Sequence, residues 1–248
     1  MIRLTLPPRP GRLTEEEQDR LARKYESTDQ AVWGAPYLKE AVFAIAQGKC
    51  AYSECRLNQE GNYMEIDHFF PKSVYPQKVV EWGNLLPASK KCNLSKGDHD
   101  PAEEPIVNPL TDNPQEHFCL VEARFRGKTQ KGKSTIAVLA LNDTIHFVKP
   151  RFDISNKVRG ILEERKDELD GGLESFQSKS SSLKKFLNKL KGLMEQASPS
   201  QEYSATVATA ILQSEDYEHI EQVLRRESLW DEELEGLLGG LRARALLK

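Results

Sequence analysis

Apolar and polar positions in the first fifty residues follow the spacing of helices. Thr14, followed three residues later by Glu17, has the pattern of a capping box and predicts the start of a first helix. Residues 36–47 predict a second helix, with Pro36 in its first turn and Gly48 at its end. The apolar positions on one face of this second helix are Leu38, Val42, Ile45 and Ala46. The chain is therefore expected to begin with a helical segment.

The middle of the chain alternates short apolar pieces with proline, glycine and asparagine. Between Cys50 and Gly97 this alternation predicts a strand, a loop, a second strand and a short helix that begins near Ser89. Residues 117–123 and 134–141 predict two further strands, joined by a loop that contains two glycines.

After Asp153 the pattern is helical to the end of the sequence. The first of these helices is expected to stop at Gly171 and Gly172. The helices predicted after it comprise residues 180–194, 203–213 and 216–227 and a last helix that starts near Trp230. We therefore expect an α+β protein with two domains, residues 1–150 and the helical residues 151–248.

Three short polar pieces could carry out phosphodiester hydrolysis, which needs a base, a cation and rigid positioning. Asp67 and His68 lie on a predicted extended segment, so their side chains should point to opposite sides. His68 suits proton abstraction from water because a histidine pKa lies near neutrality. The oxygens of Asp67 and Asn93 are hard ligands of the kind that Mg²⁺ prefers. Asn84 can fix the backbone that carries His68, and Lys96 is near enough to Asn93 in sequence to meet a phosphate.

A resemblance to the HNH (ββα-metal) endonuclease motif, in its His-Asn-Asn form, is carried by Asp67-His68 with Pro71-Lys72, by Asn84-Leu85-Leu86, and by Cys92-Asn93-x-x-Lys96-Gly97. The resemblance implies that His68 is the general base, that Asp67 and Asn93 bind magnesium or manganese, and that Asn84 is structural. It also implies a ββα-metal nuclease core between an N-terminal helical segment and a helical C-terminal region. The lysines beside the motif are then expected to bind nucleic acid: Lys72, Lys90, Lys91 and Lys96.

A wider resemblance extends beyond the motif. Residues 106–114, His117-Phe118 and residues 135–142 resemble the HNH nuclease subunit (PtuB-like) of Septu and retron-associated anti-phage systems. This implies an SMC/ABC-like ATPase subunit as partner, and in some members a retron reverse transcriptase with its DNA–RNA product. The chain would then be the effector of an ATPase-gated defence complex. Residues 151–248 are expected to dock the partner, because their leucine stripes should leave apolar surface after internal packing.

Composition and charge change this interpretation little. A net charge of −3 is unlike a free DNA-binding domain, which is usually basic, and it favours an enzyme that depends on a partner. The sequence contains no run of 18 apolar residues, so no membrane span is predicted, and its first residues lack the pattern of a signal peptide. We expect a cytoplasmic protein.

Two other interpretations stay open. The chain could be a catalytically inactive HNH-fold module that binds nucleic acid or a partner, or a restriction-type HNH nuclease that acts alone. Retention of His68 argues against the first, because a binding platform needs no general base. The sequence does not determine whether the substrate is DNA or RNA, including tRNA.

The cysteine pattern generates a prediction about zinc. Many HNH proteins carry a structural zinc ribbon built from two Cys-x-x-Cys pairs, but here Ser53 and Ser89 stand where Cys50 and Cys92 would each have a cysteine partner. Tetrahedral zinc needs four ligands, and Cys55 brings the local cysteines only to three. Cys119 or His99 could complete the set, but nothing in the sequence demands it. We expect substoichiometric zinc in the purified protein by elemental analysis. Stoichiometric zinc that survives dialysis against EDTA would contradict this expectation.

Overall fold

The structure is a computed structural model that describes residues 1–59, 63–178 and 180–248. It is an α+β protein that divides into two compact units. The first unit comprises residues 1–119 and 125–147, and the second comprises residues 120–124 and 148–248. None of the described helices combines the length and the apolar character needed to cross a bilayer.

The elements run along the chain in a mixed order. Those up to residue 138 are α1 (Glu15–Thr28), α2 (Pro36–Ile45), β1 (Met64–His68), β2 (Leu85–Ser89), α3 (Lys90–Lys96), α4 (Pro114–His117), β3 (Phe118–Val121), β4 (Arg124–Gly127) and α5 (Gln130–Val138). The later helices are α6 (Lys149–Ser178), α7 (Ser180–Glu195), α8 (Ser204–Leu212), α9 (Glu215–Arg226) and α10 (Glu232–Arg242).

The N-terminal helices form where the sequence predicts them. Helix α1 begins directly after Thr14, whose hydroxyl accepts a hydrogen bond from the backbone N–H of Glu17. Helix α2 ends shortly before Gly48, which has a φ of +80°, a conformation that glycine adopts at little cost. Both helices pack on a core that includes Leu13, Leu21, Leu38, Val42, Ile45, Val79, Trp82 and Leu85.

The predicted succession of strand, loop, strand and helix between Cys50 and Gly97 is confirmed. Strands β1 and β2 pair antiparallel, with Ile66 opposite Pro87 and His68 opposite Leu85. Helix α3 follows β2 without a break, because the Ser89 hydroxyl accepts a hydrogen bond from the backbone N–H of Cys92 and so caps the helix. The helix therefore starts at a position fixed by the strand.

The prediction of a strand at residues 134–141 is wrong. Residues up to Val138 belong to helix α5, which is capped by Thr129 through the backbone N–H of Gly132. The partner of β3 is instead β4, in the stretch interpreted as a loop. Glu122 and Ala123 join the two strands, and both have a positive φ, as tight hairpin turns require. The β-branched residues near residue 136 are typical of a strand, but the cap at Thr129 favours the helix that forms.

Helix α6 also differs from its prediction, since it continues past Gly171 and Gly172 to Ser178. A glycine within a helix costs only about 1 kcal/mol relative to alanine. Burial of apolar residues elsewhere in α6 offsets this cost, because Leu162 and Leu169 are completely buried in the core of the second unit.

The leucine stripes of the second unit do not leave the apolar surface that the sequence led us to expect. Leu234, Leu238 and Leu241 of α10 lie in the core, and Leu237 is partly buried against it. The large apolar side chains exposed in this unit, among the side chains that the structure describes, are Phe152 and Leu247. The leucines are used within the unit because the five helices from α6 to α10 enclose one core.

Candidate active site

A pocket of about 500 Å³ opens in the first unit beside β1 and α3. The charged and polar side chains of its lining include Lys39, Glu65, Asp67, His68, Lys72 and Asn93. Three of the four residues expected to carry the chemistry therefore line one pocket, although Asn93 is 25 or more positions away from the other two in sequence.

Alternation along β1 places two carboxylates towards α3. Glu65 and Asp67 are two residues apart, so they project from the same face of the strand. On α3, Asn93 and Lys96 are three residues apart and lie on one face of the helix. The pairs meet in order: Asn93 Nδ2 donates to Glu65 Oε2 at 2.6 Å, and Lys96 Nζ donates to Asp67 Oδ1 at 3.0 Å.

Asp67 is almost completely buried, with 2% of its surface exposed, and it accepts hydrogen bonds on both oxygens. Oδ1 receives Lys96, and Oδ2 receives the phenol of Tyr52. Burial, together with the neighbouring Asp67 carboxylate, raises the pKa of Tyr52 well above its usual value. Tyr52 therefore keeps its proton and remains a donor to Asp67.

Lys96 does not lie where a phosphate contact would require it. Its ammonium group is buried and donates to Asp67 and, at 2.6 Å, to the backbone carbonyl of His68. The expectation that Lys96 meets a phosphate as a point charge therefore does not match this structure. Lys96 is close to Asn93 in sequence, but its side chain turns inward to the buried carboxylate of Asp67, which needs a counter-charge.

His68 is held on the opposite side of β1 from Asp67, as expected from strand geometry, and it is largely buried although it also lines the pocket. Its Nε2 lies 2.9 Å from the carbonyl oxygen of Val79. Because a carbonyl only accepts, Nε2 carries the ring proton and Nδ1 keeps a lone pair. Trp33 packs edge-on against the ring, with centroids 4.8 Å apart.

The pKa of His68 also differs from the near-neutral pKa expected for a histidine. Burial lowers the pKa of His68 to about 4, and this effect outweighs the opposing influence of the Asp67 carboxylate. The ring is therefore neutral at neutral pH. A neutral imidazole with a fixed tautomer is the form that can accept a proton.

Asn84 is buried and ties together the loop that follows His68. Its Oδ1 accepts from the backbone N–H of Phe70 at 2.7 Å, and its Nδ2 donates to the carbonyls of Phe70 and Lys78. Lys78 directly precedes Val79, the partner of His68. The amide therefore links the backbone just after the histidine to the backbone just before Val79, its hydrogen-bond partner, which is the arrangement that its expected structural role needs.

The remaining lysines predicted to bind nucleic acid have different surroundings. Lys72 lines the pocket and places its ammonium 5.5 Å from the centre of the Trp33 ring. Lys90 is exposed, and Lys91 forms an ion pair with Asp143 at 3.1 Å. The structure adds Lys39, an exposed residue of α2 that also lines the pocket and that no sequence pattern singled out.

Glu65 is the other residue that the sequence analysis missed. Its position two residues before Asp67 on a predicted strand was a usable signal, since it places both carboxylates on one face.

Three of the cysteines lie together near the start of α3. The thiol of Cys50 contacts those of Cys55 and Cys92, and the Ser53 hydroxyl donates to Cys55 Sγ at 3.2 Å. Within the described ranges, no group of three or more His, Cys, Asp or Glu side chains is arranged to hold a metal ion. The expected lack of stoichiometric zinc stays a prediction.

Comparison with known proteins identifies the family. The chain is 36% identical to the Septu protein PtuB of Bacillus thuringiensis over 248 residues, which is all of this chain and 96% of that protein. The chain belongs to the PtuB family of Septu proteins. The match to PtuB covers the whole chain, so membership of the PtuB family applies to both units. No family model matches the chain, and no solved structure does.

The buried pair of Lys96 and Asp67 generates a prediction about stability. Replacing Lys96 with methionine removes the ammonium and leaves a buried carboxylate with one donor fewer. We expect Lys96→Met to lower the free energy of unfolding, measured by urea denaturation, by about 3–5 kcal/mol. The control is Lys90→Met on the exposed start of the same helix, which should stay within about 0.5 kcal/mol of the wild type. Equal stability of the two variants would show that the ion pair does not hold β1 to α3.

Proposed function

We propose that this PtuB-family protein is an HNH-type endonuclease that hydrolyses phosphodiester bonds with the help of Mg²⁺ or Mn²⁺. The observation that carries the proposal is that Asp67, His68 and Asn93 line one pocket. The carbonyl of Val79 fixes the ring proton of His68 on Nε2, and burial lowers the pKa of His68, so its imidazole is neutral at neutral pH.

The oxygen donors of the pocket fit a hard cation. A carboxylate has about four acceptor positions, so the two donors on Asp67 leave lone pairs available. Asn93 gives its amide nitrogen to Glu65, which leaves the amide oxygen for a cation. We propose that Asp67 and Asn93 hold the ion, and that water and phosphate oxygens complete its ligands, as Mg²⁺ prefers. A bound cation would stabilise negative charge on the phosphate and on the leaving oxygen.

The protein side chains would perform the other tasks. His68 Nδ1 would take the proton of the attacking water, since this is the ring nitrogen that carries a lone pair. Asn84 would keep the ring in place by linking the backbone near His68, at Phe70, to the backbone near its partner Val79, at Lys78. Lys72 and Lys39, which also line the pocket, would hold the phosphate backbone.

Membership of the PtuB family supports a role in anti-phage defence and an ATPase subunit as partner. We propose that the second unit docks this partner, although the argument from exposed leucines no longer supports it. The remaining support comes from the charges of α7, which argue against nucleic-acid binding by this unit. Asp231 and Glu233 pair with Lys191 of the basic helix α7, and Lys189 of the same helix pairs with Glu168, so part of the positive charge of α7 is neutralised within the unit. This disfavours α7 as a track for nucleic acid.

Substitution of His68 tests the proposal. We expect His68→Ala, purified together with its partner subunit, to cleave phage DNA or total RNA about 10²–10⁴-fold more slowly than the wild type, because the base is lost. EDTA should stop the wild-type reaction. The matched control is His146→Ala, an exposed histidine of the same unit that does not line the pocket.

Both variants should keep the wild-type thermal stability to within a few degrees and should still bind the partner. Cleavage by His68→Ala at the rate of His146→Ala would refute the assignment of the base. Absence of cleavage by the wild-type complex on every nucleic acid tested would favour a binding module.

A further inference from the structure

The contact between Glu65 and Asn93 decides which end of an amide faces the pocket. An asparagine side chain has a nitrogen that only donates and an oxygen that only accepts, and a half-turn about the last bond exchanges the two. Only the oxygen can bind a cation. The orientation of Asn93 is therefore as important as its position.

Glu65 determines which of the two orientations the Asn93 amide adopts. An ionised carboxylate has no proton to give, so the only end of Asn93 that it can attract is the nitrogen. The 2.6 Å distance from Asn93 Nδ2 to Glu65 Oε2 is that of a short, charge-assisted hydrogen bond, which is about twice as strong as a neutral one. With the nitrogen held on Glu65, the amide oxygen points to the other side of the planar group.

The neighbouring contacts indicate that Glu65, and not Asp67, orients the Asn93 amide. Asp67, on the same face of β1, is already engaged by Lys96 and Tyr52. Lys96 and Asn93 lie one helical turn apart, so the ion pair of Lys96 sets the height at which Asn93 meets Glu65. Glu65 itself is only half-buried and lines the pocket.

We propose that Glu65 is a positioning residue of the cation site, which orients the Asn93 amide so that its oxygen is presented to the ion. The inference rests on the proposed function, because it assigns a role within the same site. Glu65 acts through Asn93 and does not need to touch the ion. Loss of such an outer partner typically lowers metal affinity about 10–100-fold.

The first measurement is the affinity of the full-length chain for Mn²⁺ by isothermal titration calorimetry. Glu65→Ala should bind Mn²⁺ about 10–100-fold more weakly than the wild type. Glu65→Gln should lose less, because its amide oxygen can still accept the Asn93 nitrogen. The control is Glu103→Ala, which removes one exposed carboxylate of the same unit outside the pocket and should bind Mn²⁺ as the wild type does.

A double-mutant cycle separates orientation from direct binding. If Glu65 acts through Asn93, adding Glu65→Ala to Asn93→Ala should cause no further loss of Mn²⁺ affinity. Losses that add would show that Glu65 contributes independently, and would overturn the proposed role.

A second readout needs no metal. The side-chain amide signal of Asn93, assigned in NMR spectra by its disappearance in Asn93→Ala, should show slow proton exchange in the wild type and fast exchange in Glu65→Ala. An unchanged signal would overturn the inference.

The outcomes also separate this inference from the proposed function. A wild-type chain that binds Mn²⁺ while Glu65→Ala binds it equally well overturns the role of Glu65 alone. A wild-type chain that binds no Mn²⁺ overturns the cation site, and with it the role of Glu65.

Discussion

The buried ion pair between Asp67 and Lys96 is the constraint on which the geometry of the pocket depends. Both side chains are withdrawn from water, and each gains a second partner, since Tyr52 donates to Asp67 and the carbonyl of His68 accepts from Lys96. A buried ion pair contributes little net stability compared with apolar packing, but removal of one partner strongly destabilises the fold. Its effect here is to fix the register between β1 and α3. Because Asn93 lies one turn before Lys96, this register brings it to Glu65.

Strand β1 also separates the residues that we propose for the two chemical tasks, proton abstraction and cation binding. Its α3-facing side carries oxygens, while the next residue, His68, turns to the opposite side and packs against Trp33 and the carbonyl of Val79. The low dielectric that lowers the pKa of His68 also strengthens the contacts of Asp67. The proposed base, His68, and the proposed cation ligand Asp67 can therefore be adjacent in sequence without pairing with each other.

The sequence predicted the parts of the site that depend on local spacing. Asp67, His68 and Asn93 line one pocket because a strand, a second strand and a capped helix follow in order, and each of these leaves a local pattern. It could not predict the partners of Lys96, because spacing shows which face of α3 the lysine occupies but not which carboxylate needs it. Elsewhere, the β-branched residues of the stretch 134–141 predict a strand, but a helix capped by Thr129 forms there. Helix α6 continues past its two glycines because core packing offsets their cost.

The proposed function depends on the oxygens of Asp67 and Asn93 forming a cation site beside a neutral His68. The most direct measurement is anomalous X-ray diffraction from crystals of the full chain soaked in Mn²⁺. We expect an anomalous peak in the pocket, within bonding distance of one oxygen of Asp67 and of the amide oxygen of Asn93, and no such peak in crystals of Asp67→Ala. A pocket without a peak in fully soaked crystals, or a peak bound elsewhere on the chain, would contradict the proposed cation site.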